Sequence, residues 1–175
     1  MAKWKKCVIT LIIIGLLIIE AWALIFSINF NSSPVLYIAH RGHGYLDNTA
    51  EAFYNSTEYW GIECDVRITD DGKFILNHDA EVQFDDGSIV NVEASTYSSL
   101  IDGRLPGGYA LCSFAKYLDI CNELDKVAVV ELKSDLTDAE VTMLLDEIEE
   151  YHSINQSMII SFSQSNLLPS ETNVI

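Results

Sequence analysis

The sequence predicts an α/β fold of the TIM-type (β/α)8 barrel class, shortened to about five βα units and preceded by one N-terminal transmembrane helix. Three observations predict it. Strand-like and helix-like patterns alternate from Val35 to Phe162, which implies a mostly parallel sheet covered by helices. The residues able to act as acid, base or metal ligand, His40, Glu63, Asp65, His78 and Glu131, fall at the ends of apolar runs, where barrels of this class assemble their sites. A long apolar run at the start of the chain follows three lysines.

In chain order, Lys3, Lys5 and Lys6 precede an apolar run from Cys7 to Ile19, which resumes after Glu20 and continues to Phe30. About 20 apolar residues span a bilayer and Lys-rich flanks stay cytoplasmic. Residues 1–30 are therefore expected to be a single-pass signal-anchor, with residues 31–175 forming an extracytoplasmic domain. The alternative is a secreted protein, because Ala21-Trp22-Ala23 resembles a cleavage site. Glu20 is costly inside a membrane and is expected either near its outer interface or protonated.

Val35–His40 reads as a first strand, and Thr49 opens a helix reaching about Tyr59. Ile62–Thr69 reads as a second strand, Asp70-Asp71-Gly72 as a turn, and Lys73–His78 as a third strand. Asp79 to Gly108 is a polar stretch with a short helix around Ser95–Leu100. Ser113–Leu124 is helical in pattern, Val127–Leu132 a buried strand, Thr137–Tyr151 an acidic amphipathic helix, and Met158–Phe162 a fifth strand. Cys64 should turn toward the helical layer. Cys112 and Cys121, nine residues apart in a helix-like stretch, should face opposite sides, and the cysteines are expected to be buried reduced thiols.

Ten Lys and Arg stand against 26 Asp and Glu, a formal net charge of −16. Nucleic acid is excluded as a partner, because phosphate binding needs clustered basic residues. Three of the ten basic residues but only one acid lie in residues 1–30, so the remainder is still more acidic.

Strand alternation puts Glu63 and Asp65 on one side, close enough to share a hard cation, and Glu131 can add a third oxygen ligand from a neighbouring strand. Three carboxylates without a Cys or His cluster favour one divalent cation, Ca2+ or Mg2+, over zinc. His40 and His78 titrate near neutral pH, so one can accept a proton from a nucleophile while the other gives one to a leaving oxygen. Arg41 and Lys133 supply fixed positive charge, either for an anionic phosphodiester or to neutralise the carboxylates.

The runs His40-Arg41-Gly42, Asp47-Asn48-Thr49 with Ala52-Phe53, Glu63-x-Asp65-Val66, Thr69-Asp70-Asp71-Gly72, His78-Asp79 and Glu131-Leu132-Lys133 together resemble the glycerophosphodiester phosphodiesterases, over roughly residues 35–168. The resemblance implies a (β/α)8 barrel that hydrolyses glycerophosphodiesters to glycerol 3-phosphate and an alcohol with a divalent metal. It implies His40 and His78 as the acid–base pair, Glu63, Asp65 and Glu131 as metal ligands, and Arg41 and Lys133 as phosphate contacts. Asp47 stands where the family usually has Glu, keeping the charge with a shorter reach in a supporting role. His43 is an extra histidine, expected as a loop residue, with substrate contact as the alternative.

A complete barrel needs roughly 200 to 250 residues, more than residues 31–175 provide. A truncated chain, or an oligomer or second polypeptide that completes the barrel, is therefore expected. The substrate is expected to be a small-molecule or lipid-derived phosphodiester. The alternatives are a lysophospholipid, phosphoinositide or sphingolipid substrate, and a non-catalytic fragment.

Overall fold

The computed structural model describes residue 4, residues 13–24 and residues 35–163. The chain divides into two compact units, Met1–Val35 and Leu36–Ile175. In the first, residues 13–24 are helical (α1) and almost wholly exposed. Among the described residues no helix is long and apolar enough to cross a membrane, so the expected transmembrane helix is not found there. The rest of the 1–30 expectation lies outside the described residues.

The second unit contains β1 (Ile38–Ala39), α2 (Ala50–Tyr54), β2 (Gly61–Ile68), β3 (Phe74–Leu76), β4 (Glu81–Gln83), β5 (Ile89–Asn91) and α3 (Tyr97–Ile101). It continues through α4 (Phe114–Glu123), β6 (Val127–Leu132), α5 (Asp138–Tyr151), a 3-10 turn (Ile154–Gln156) and β7 (Ser157–Ser161). The main sheet runs β1-β2-β6-β7, every neighbour parallel. Helices α4 and α5 fall between these strands in sequence, as parallel crossovers require.

The third expected strand is corrected by the topology. β3 lies off this path and pairs antiparallel with β2, matching Val66 to Leu76 and Ile68 to Phe74. The turn between them is too short for a parallel crossover, and Gly72 supplies the left-handed φ of +71° that it needs. Four parallel strands are thus present among the described residues, not five. The polar stretch after Asp79 also folds more fully than expected. β4 and β5 form a separate hairpin, and Val82, Phe84, Val92, Leu100, Leu105 and Leu111 build a second small core around Ile75.

Local chemistry sets the helix limits. Thr137 and Glu140 form a reciprocal capping box at the start of α5, and the Ser113 hydroxyl accepts from the Lys116 N–H to start α4. The expected helix from Thr49 to Tyr59 is shorter. Thr49 caps α2, but Ser56 turns its hydroxyl back onto the Ala52 carbonyl at 2.8 Å and the chain continues as turns.

The principal core fills the space between one face of the sheet and its helices. Ile62, Cys64 and Val66 from β2 and Ala128, Val130 and Leu132 from β6 pack with Phe53, Phe114, Tyr117, Leu144 and Ile148. Each large apolar side chain buried here contributes about 1.5–3 kcal/mol. The buried Tyr117 hydroxyl lies 2.7 Å from the Ile62 carbonyl and 3.3 Å from that of Val129, bridging β2 and β6. Cys64, Cys112 and Cys121 are free thiols, as expected, but all three lie in this one core. Cys112 precedes the cap of α4 instead of lying on the helix, so the helical phase that would have separated it from Cys121 does not apply.

Candidate active site

The helices cover the Ile62, Cys64 and Val66 side of β2, and the alternate residues Glu63, Asp65 and Arg67 take the other. Parallel register then sets Asp65 beside Glu131, and Glu63 beside Val129. Carboxylate oxygens of Glu63, Asp65 and Glu131 lie within 4.8 Å of one another, and all three residues are buried.

The loop after β1 closes over this group. Arg41 takes a φ of +58° and Gly42 one of +82°. A Cβ at Gly42 would meet the Ala52 carbonyl carbon at 2.8 Å, so only glycine lets the loop press onto α2. The Arg41 N–H donates to Glu63 Oε2 at 2.8 Å, while its Nε sits 3.1 Å from Asp65 Oδ2. Asn48, also left-handed at +56°, donates through Nδ2 to Asp65 Oδ2 at 2.8 Å and accepts the Asp65 N–H at 3.0 Å. Non-glycine residues in this region carry strain that the surrounding structure must overcome, and such strain clusters at functional sites. Lys133 completes the ring, its Nζ 2.8 Å from Glu131 Oε1 and 3.8 Å from Asp65 Oδ1.

The two histidines are held differently. His40 Nε2 lies 3.9 Å from Glu63 Oε2 with most of the side chain exposed. His78 is returned by the β2–β3 hairpin, which also gives the Asn77 N–H to the Asp65 carbonyl at 3.1 Å. Its Nδ1 is 2.7 Å from Asp79 Oδ1. A carboxylate only accepts, so Nδ1 carries the proton and Nε2 is the basic nitrogen. This hydrogen bond is also the main reason the Asp79 carboxyl sits below its usual range.

Asp47 lies on the surface, with its Oδ2 3.5 Å from Arg41 Nη1. His43 sits against Tyr59, its Nδ1 3.2 Å from the phenol oxygen, as a loop residue. Two site residues were not singled out from the sequence. Asn48 lies inside the Asp47-Asn48-Thr49 run, where the charged neighbour drew attention. Arg67 had a readable signal, because it continues the Glu63, Asp65 alternation.

Burial pushes the Glu63 carboxyl up to about 7, opposed by the Arg41 N–H and reinforced by the charges of Asp65 and Glu131. Glu63 Oε1 and Asp65 Oδ1 are buried without a hydrogen-bond donor. With all three carboxylates ionised, as a bound cation would favour, they carry one more negative charge than Arg41 and Lys133 neutralise. Orphaned oxygens, excess negative charge and an all-oxygen donor set fit a hard divalent cation.

Comparison with known proteins gives a consistent family. The profile of the Glycerophosphoryl diester phosphodiesterase family matches residues 40–165. An uncharacterised protein of Mycoplasma genitalium, MG293, is 28% identical over 114 residues, covering 57% of this chain and 46% of that protein. A glycerophosphodiester phosphodiesterase from Thermotoga maritima superposes with a TM-score of 0.61 at 26% identity, over 78% of this chain and 58% of that one. An Oleispira antarctica phosphodiesterase, solved with the product sn-glycerol-3-phosphate, has a TM-score of 0.68 at 16% identity, over 76% of this chain and 60% of that one. The chain thus spans less than half of this curated relative and about three fifths of these solved structures.

Proposed function

The chain belongs to the glycerophosphoryl diester phosphodiesterase family, and on that premise we propose that it hydrolyses glycerophosphodiesters to glycerol 3-phosphate and an alcohol with one divalent cation, Ca2+ or Mg2+. The observation that carries this reading is the buried Glu63, Asp65 and Glu131 group, with two orphaned oxygens and two flanking cations. The product bound by the Oleispira antarctica neighbour supports the same substrate class.

Glu63, Asp65 and Glu131 would hold the cation, whose chemistry is to neutralise charge on the phosphoryl group. Arg41 and Lys133, fixed by the same carboxylates, add positive charge for phosphate oxygens. The Nε2 of His78 takes the proton from a water as its oxygen bonds to phosphorus, or first from a neighbouring glycerol hydroxyl, giving a cyclic phosphate that water then opens to glycerol 3-phosphate. His40, beside Glu63, gives a proton to the alcohol oxygen as its bond to phosphorus breaks. Membrane attachment through Cys7 to Phe30 is part of the proposal and rests on sequence alone.

The test is release of glycerol 3-phosphate from glycerophosphocholine by the full chain with Ca2+, Mg2+ or EDTA. The expected result is cation-dependent turnover that falls about 10²–10⁴-fold in His40→Ala and in His78→Ala. Turnover surviving both substitutions rejects the reading.

A further inference from the structure

Arg67 extends from the last turn of β2 with the site residues, yet its partners lie elsewhere. Its Nε and Nη2 both donate to the His78 carbonyl, at 3.2 and 2.8 Å. Its Nη1 donates to Glu93 Oε1 at 2.8 Å. The same Glu93 oxygen accepts from the Ser134 hydroxyl at 2.6 Å, and that hydroxyl accepts the Ile68 N–H at 3.2 Å. One guanidinium therefore ties together the end of β2, the His78 loop, the segment after β5 and the residue that follows Lys133. Arg67 itself is 9% exposed, while the Glu93 side chain that holds it is 43% exposed.

We propose that Arg67 is the positioning residue for His78, holding that histidine's main chain through a two-pronged bond to its carbonyl while Glu93 and Ser134 fix the guanidinium. The Asp79 bond sets the tautomer of His78, but Asp79 is itself an exposed residue of the same loop. Arg67 binds the His78 carbonyl directly to the strand that carries Glu63 and Asp65, one residue beyond the Asn77 N–H bond to the Asp65 carbonyl. A planar fork with several N–H donors can bind one carbonyl twice and a carboxylate at the same time, which an ammonium at the end of a flexible stem does not reproduce. Arg67 touches no reacting atom in this arrangement. It acts through His78, and the proposal rests on the catalytic role given to that residue above.

The experiment compares the full-length wild type with Arg67→Lys, Arg67→Met and His78→Ala. It reads kcat and KM for glycerophosphocholine, Ca2+ binding by calorimetry, and hydrogen exchange of the peptide over residues 76–84. Arg67→Met is expected to lower kcat roughly 10- to 100-fold, the scale of a displaced catalytic group, with KM and Ca2+ binding within about threefold. Arg67→Lys is expected to recover only part of the rate, and exchange around His78 is expected to rise in both variants.

Wild-type kcat in both Arg67 variants, with His78→Ala inactive, overturns the proposal and leaves the reaction assignment standing. Full activity in His78→Ala overturns the reaction assignment and the catalytic part of the proposal with it. Exchange unchanged by Arg67→Met overturns the clamp itself, whatever the wild-type turnover.

Discussion

Ile62, Cys64 and Val66 are as deeply buried as Glu63 and Asp65, which alternate with them on the same strand. Their surroundings differ completely. The first set meets Phe53, Tyr117 and the apolar faces of α4 and α5, and the Tyr117 hydroxyl has carbonyl partners. The second set crowds three carboxylates with two cations and leaves two oxygens without donors. Burial on one face stabilises the fold, whereas burial on the other costs stability and concentrates charge. The proposed bound cation, and not a contribution to folding, accounts for this inner face.

Asp65→Asn should separate the two faces most sharply. Hydrolysis of glycerophosphocholine is expected to fall roughly 10³-fold, because one oxygen ligand and its charge are lost. The melting temperature in EDTA is expected to stay level or rise, since the new amide can donate to neighbouring carboxylates. A large drop in that temperature would show that the inner face supports the fold. The converse is Leu144→Ala on the outer side, where the side chain is fully buried. It is expected to cost about 2–5 kcal/mol by denaturant unfolding, with Ca2+ affinity unchanged for the folded fraction. Tyr117→Phe removes only the hydroxyl between β2 and β6, and about 1 kcal/mol is expected in the same measurement.

The smallest effect concerns the thiols. Burial pushes Cys112 and Cys121 up to about 12 and raises Cys64 well above the usual thiol range. A raised thiol pKa keeps the proton on below that value, so at pH 8 these three thiols hold almost no thiolate. In a Cys7→Ser chain, Ellman's reagent is expected to leave Cys64, Cys112 and Cys121 unmodified until denaturant is added. Rapid native labelling of Cys64 would contradict the packing of the outer face.

The face assignment was legible because it needs only the two-residue period of β2, and the place of Glu131 beside Asp65 because it needs only a neighbouring parallel strand. The limits of α5 were legible because Thr137 and Glu140 cap it locally. The place of β3 was misread although its turn was identified: a three-residue turn permits antiparallel return but not a crossover. Asn48 was not legible, because its two bonds to Asp65 depend on a left-handed backbone set by contact with Arg41 and α2. The Arg67 network was hidden for a similar reason, its partners being separated by 11 and 26 residues in sequence.

The central claim is that the inner face of β2 and β6 holds a divalent cation, and calorimetric titration of the EDTA-treated full chain with Ca2+ and with Mg2+ tests it most directly. One site is expected for the wild type, and none for Glu63→Gln with an unchanged fold by circular dichroism. Equal binding by the two proteins, or none by either, would contradict the account.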